Sequence, residues 1–121
     1  MYDLIDRPVA DLPRFERGVL DRMRRWVHAL TVAGTAPGGD VGDEPFDAAM
    51  RALDRGSTDT LVFQRPCHST VEETEAVMLG LWRLVRADRI GAARAGAAAL
   101  VDADAARSLV AGMTRAIATA D

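Results

Sequence analysis

The chain has 121 residues with a single cysteine, Cys67, followed by one of its two histidines, His68, just ahead of a segment with helical periodicity. A thiol near a helix N-terminus loses its proton more readily, because the positive end of the dipole and an adjacent imidazolium both favour the thiolate. Cys67 is therefore a candidate nucleophile or redox thiol, with His68 beside it. The structural alternative is a small buried hydrophobe next to an ordinary loop histidine, and no recognisable motif surrounds the pair.

A metal site would draw on His28, Cys67, His68 and acids such as Glu72 or Glu73. Zinc needs three or four ligands at one point, and neighbours in sequence reach the same ion only if a loop splays them apart. The spacing matches no metal pattern, so neither a metal nor a cofactor is expected. Ser69 next to His68 lacks the strand-turn-helix elbow and orienting acid that a nucleophilic serine requires. It has a sufficient role as a helix cap.

The run Arg24-Arg25-Trp26 carries two guanidinium groups and an indole, the elements of phosphate and base contact. At 100° per residue, Trp26 projects about 20° from Phe15, whereas the arginines fall on the far side of the helix. Stacking on bases is therefore disfavoured. A basic face at Arg14, Arg17, Arg24 and Arg25 can still receive an acidic partner, although such a face is more often only solvated. The Gly-rich run Pro37 to Asp40 is no phosphate cradle, since the chain contains no lysine to complete one.

These residues have to be positioned by helices. From Leu12 to Ala33, Phe15, Val19, Met23, Trp26, Leu30 and Ala33 form one apolar stripe, with Asp11 as cap and Pro13 in the first turn. Residues 35–43 have the Gly, Pro and Asp content of a flexible loop. A second helix is predicted from Glu44 to Arg55 on Phe46, Ala49, Met50 and Leu53, closed by a left-handed Gly56, with Asp47 and Arg51 paired on a solvated face. Residues 60–64 favour a short extended segment, either a buried connector or half of a ribbon with Tyr2 to Ile5.

The third helix opens on a capping signature, Ser69 with Glu72 or Thr70 with Glu73, and is apolar nearly all round from Val77 to Val85. A fourth, rich in Gly and Ala, follows from Arg89 to Val101. A fifth follows an aspartate cap within Asp102 to Asp104 and carries Ala106, Leu109, Val110, Met113 and Ile117 on one face. The short connection implies an antiparallel hairpin of these last two. The fold class is thus all-α: about five helices in a compact bundle, with one short extended segment near 60–64.

Composition narrows the function classes. Half the residues are apolar, and the length suits one domain covering residues 1–121. No apolar run is long enough to span a bilayer and the N-terminus lacks the pattern of a signal peptide, so a cytoplasmic location is expected. Fifteen arginines, no lysine and many alanines read as GC-rich bacterial coding. Net charge is −3, and residues 35–76 hold nine acids against three arginines. Broad nucleic-acid binding is disfavoured by that balance.

The resulting expectation is a non-catalytic protein-association or regulatory module, a homodimer or the partner of another protein, because the third helix offers more apolar surface than its neighbours need. No membrane contact is expected. The alternative is a small-molecule-binding or redox protein with a pocket lined by Met23, Trp26, Phe63, Met78 and Trp82, and with Cys67 or His68 at its mouth. No residue is assigned a catalytic role; Cys67, His68, Trp26 and Trp82 are the candidates for a ligand or reactive site.

Overall fold

The structure, a computed structural model, describes residues 7–33, 44–57, 63–64 and 68–120. Among them are five α-helices: α1 (Arg14–Ala33), α2 (Glu44–Gly56), α3 (Glu73–Arg86), α4 (Ile90–Ala97) and α5 (Ala103–Ala120). A 3-10 turn at Val9–Asp11 precedes α1. No β-strand occurs among the described residues, and the fold is an all-α bundle. The chain divides into two compact units, one of Met1–Ala36 with Leu61–Gly80, the other of Pro37–Thr60 with Leu81–Asp121.

In the first unit α1 buries Val19, Leu20, Met23 and Trp26. The early turns of α3 add Ala76, Met78 and Leu79, so that the unit closes on apolar side chains worth up to about 3 kcal/mol each on full burial. The chain ahead of α1 pairs with the chain ahead of α3 through a single antiparallel bridge between Pro8 and Thr70. Two backbone hydrogen bonds build it: the Val9 N–H donates to the Ser69 carbonyl at 2.8 Å, and the Val71 N–H to the Arg7 carbonyl at 3.0 Å. Tyr2 to Ile5, the ribbon partner expected for the extended segment, lies outside the described residues, as do residues 60–62 of that segment; Phe63 and Gln64 are neither helical nor paired as a strand.

In the second unit α5 packs mainly on α2 and only secondarily on α4, so the hairpin of the last two helices is the smaller of its contacts. Glycine makes the α2–α5 approach possible. A Cβ on Gly112 would sit 2.9 Å from the Ala49 backbone nitrogen, and one on Gly56 would collide with the Ala105 side chain. Gly56 therefore ends α2 as a packing residue. It does not adopt the left-handed conformation predicted for it. Phe46 stacks on Trp82 with ring centroids 5.6 Å apart and planes 15° from parallel, an offset pairing typical of aromatic cores.

Several boundaries move for identifiable reasons. Pro13 accepts the first helical hydrogen bond of α1, from the Arg17 N–H, so the helix begins one step later than its proline suggests. The third helix is not capped by Ser69 or Thr70. Instead the Glu72 N–H donates to Oε1 of Glu75 at 2.9 Å, which places the reciprocal capping contact three residues further on. The expected aspartate cap of α5 is present, with the Ala105 N–H donating to Oδ1 of Asp102. α4 is shorter than predicted: it stops at Ala97, passes through a turn, and reaches an isolated bridge between Ser57 and Val101. Asp47 pairs with Arg51 at 2.8 Å, but Asp47 is buried, so that face of α2 is not the solvated one expected.

Between α3 and α4 the chain turns at Asp88, whose φ of 62° is left-handed. The Asp88 N–H donates to the Val85 carbonyl and the Arg89 N–H to the Leu84 carbonyl, the two bonds of a Schellman termination. Aspartate here occupies the position glycine usually takes.

Candidate functional site

The most concentrated polar chemistry among the described residues is buried. Arg24 of α1 and Glu75 in the first turn of α3 are 1% and 0% exposed, and their side chains form a two-pronged ion pair. Nε of Arg24 donates to Oε2 of Glu75 at 2.7 Å, and Nη2 donates to Oε1 at 2.8 Å. The guanidinium also donates to main chain: Nη1 to the His68 carbonyl and Nη2 to the Thr70 carbonyl, each at 2.8 Å. The carboxylate in turn accepts the backbone N–H groups of Gln64 and Glu72.

In this cluster the carboxylate is saturated, and the guanidinium uses four of its five N–H groups. The planar fork of arginine suits a bidentate carboxylate, and burial of both charges is tolerable only because each also has backbone partners. Its work is to tie the chain before α3 to two helices. With all four acceptor sites of the carboxylate taken and the guanidinium 1% exposed, the pair is not placed to activate a substrate. Gln64 strengthens the tie, its side-chain amide donating to Oε2 of Glu72 at 2.6 Å.

Arg24 was expected on the charged face of α1, and the structure corrects that placement. The helix buries a wider arc than its apolar stripe. On the wheel that starts at Phe15, Glu16, Leu20 and Arg24 fall at about 100°, 140° and 180°, and all three are buried. Leu20 was the available signal, being an apolar residue outside the stripe. Glu75, an acid in the first turn of α3, is likewise interior.

The other predicted site residues scatter. His68 is exposed, with ring Nε2 3.3 Å from the Thr70 hydroxyl, and its carbonyl is tied to the interior through Arg24. Cys67 lies outside the described residues. Trp26 and Trp82 are both buried and belong to different units. Met23 and Met78, proposed as pocket lining, are fully buried core residues, and Phe63 is half-buried. Trp82 carries the one buried side-chain polar atom without a partner among the described residues, its indole N–H. No group of three or more His, Cys, Asp or Glu suited to a metal occurs among the described residues.

A groove of about 470 Å³ open to solvent runs along α1. Arg14, Arg17, Gly18 and Asp21 border it on the helix, Val9 of the 3-10 turn contributes an apolar side chain, and Leu20 and Arg24 contribute to its wall. Four charged residues thus line it, and two are accounted for: Arg24 is neutralised by Glu75, and Asp21 is paired with Arg25 at 2.8 Å. Arg14 and Arg17 are exposed and have no ion-pair partner among the described residues. The groove is therefore net positive.

No helix among the described residues is long and apolar enough to cross a membrane. Comparison of the chain with known protein families, curated proteins and solved structures finds no match.

Proposed function

We propose that this chain is a non-catalytic association module that binds another protein through the α1 groove. The observation that carries the reading is the division of its charges. The buried ion pair is consumed by the fold, whereas Arg14 and Arg17 stand exposed at the edge of an open cleft. Charges placed at the rim of a concave surface steer and select a partner more than they stabilise the protein that carries them.

A second copy of the chain is the less favoured partner. Its motive was uncovered apolar surface on α3, and Met78, Leu79, Leu81 and Trp82 are all buried without one. The cytoplasm of a bacterium is the setting in which we place the interaction, on the composition described above.

The test is site-specific photo-crosslinking in cells, with a benzophenone amino acid at Asp21 on the groove or at Ser108 on the exposed face of α5. A discrete protein adduct from the Asp21 position alone supports the reading. No adduct from Asp21, or the same adducts from both positions, overturns it.

A further inference from the structure

Building on the α1 groove as a binding surface, we infer that its occupant is an acidic peptide segment whose backbone passes over Gly18, with carboxylates on Arg14 and Arg17 and an apolar side chain against Val9. Three observations converge on this. The first is charge: after internal pairing, the groove's unpaired charges are two guanidinium groups. Guanidinium matches a carboxylate in shape as well as sign, since both are planar and two parallel hydrogen bonds can form.

The second is spacing. Arg14 and Arg17 are three residues apart on α1 and Gly18 is four beyond Arg14, so all three share one face of the helix. The cations therefore flank the glycine from its N-terminal side and can hold two acidic side chains of one passing chain.

The third is the glycine. In the interior of α1, glycine weakens the helix relative to alanine. No internal contact requires it, for a Cβ at Gly18 would meet no atom within 4 Å. A missing side chain on the surface of a helix leaves the backbone approachable, and close passage of another main chain is one use of such a position. Gly91, in the first turn of α4, is equally unhindered but does not line the groove, and so serves as a control.

The experiment uses the full chain and a fluorescein-labelled peptide of repeated Glu-Leu-Glu as probe, read by fluorescence anisotropy at low salt. Saturable binding is expected, weakened about tenfold by Arg14→Ala with Arg17→Ala, the loss of two rim charge contacts. Gly18→Leu is expected to abolish binding, and Gly91→Leu to leave it unchanged, with far-UV circular dichroism showing that each variant stays helical. The proposal is overturned if a Lys-Leu-Lys probe binds as well, if the Gly18 and Gly91 variants behave alike, or if single-stranded DNA binds more tightly than the acidic peptide. A crosslinked adduct from Asp21 that proves to be a second copy of this chain overturns it in favour of self-association. Failure of the acidic probe while an adduct with another protein persists removes only the occupant proposed here; failure of both removes the binding surface.

Discussion

Replacing Glu75 by alanine should destabilise the protein by about 3 to 5 kcal/mol, the usual cost of stranding one member of a buried ion pair. The carboxylate accepts from two nitrogens of Arg24 and from the backbone N–H groups of Gln64 and Glu72. Its loss leaves a guanidinium 1% exposed with only the two carbonyls of His68 and Thr70 as partners. A chain of this length has a total stability of about 6 to 18 kcal/mol, so the variant is weakened severely yet can remain folded. The assay is urea denaturation followed by tryptophan fluorescence, with stability compared only if the slope m is unchanged. A double-mutant cycle completes the test. Arg24→Met alone should also cost several kcal/mol, and Arg24→Met with Glu75→Leu should cost less than the sum by about 2 kcal/mol or more, because the charges are lost together. The double variant should still fall below the parent, since up to four backbone groups lose partners worth about 1 to 3 kcal/mol each where they stay dry. Single variants costing less than about 1 kcal/mol, or effects that simply add, would refute the reading of this pair as the fastening of the first unit.

Three further outcomes follow from the packing. Gly112→Ala should destabilise by about 1 to 3 kcal/mol despite its better helix propensity, because the new Cβ meets Ala49 backbone and α2 and α5 must separate; a stabilised variant in the same urea titration would contradict that contact. Asp88→Gly should stabilise by about 1 kcal/mol, as it relieves a left-handed aspartate at a Schellman termination, and a lowered melting temperature would count against it. Trp82→Phe should stay within about 1 kcal/mol of the parent, since the lost ring area is offset by removal of an indole N–H that has no acceptor among the described residues; a loss above about 3 kcal/mol would reveal an acceptor for that proton.

How far the sequence could be read depended on whether an element announces itself locally. α1 and α2 did: their stripes of Val19, Met23 and Trp26, and of Phe46, Ala49, Met50 and Leu53, are buried as the periodicity requires. The interior apolar run of α3 was equally legible. What escaped was the meeting of charges far apart in the chain. Arg24 and Glu75 are 51 residues apart, and each has an acceptable local role, one on a helix face among other arginines and the other as a first-turn acid. Only the tertiary neighbourhood selects the buried role. The chemistry expected at Cys67 and His68 drew on local electrostatics as well, yet the described part of that segment is held by its main chain, through the carbonyls of His68 and Thr70. The α1 groove has a partial signal in the sequence: its basic face follows from the helical spacing of Arg14 and Arg17, whereas a single glycine carries no periodicity of its own.

The same separation bears on how the chain is made. α1 is synthesised long before its counter-ion, and at about 5 to 20 residues per second the ribosome needs roughly 3 to 10 s to travel from Arg24 to Glu75. During that interval the guanidinium has no carboxylate to accompany it into the interior, and burying it alone would cost more than the helix gains. α1 must therefore wait in contact with water, with Leu20 and Met23 uncovered on the same side. Neither unit is a continuous stretch of chain, since each is built from an early and a late segment. Nascent chains arrested before Glu75 should thus be far more sensitive to protease within α1 than chains arrested well beyond it, and the step in protection would mark the moment at which the ion pair closes.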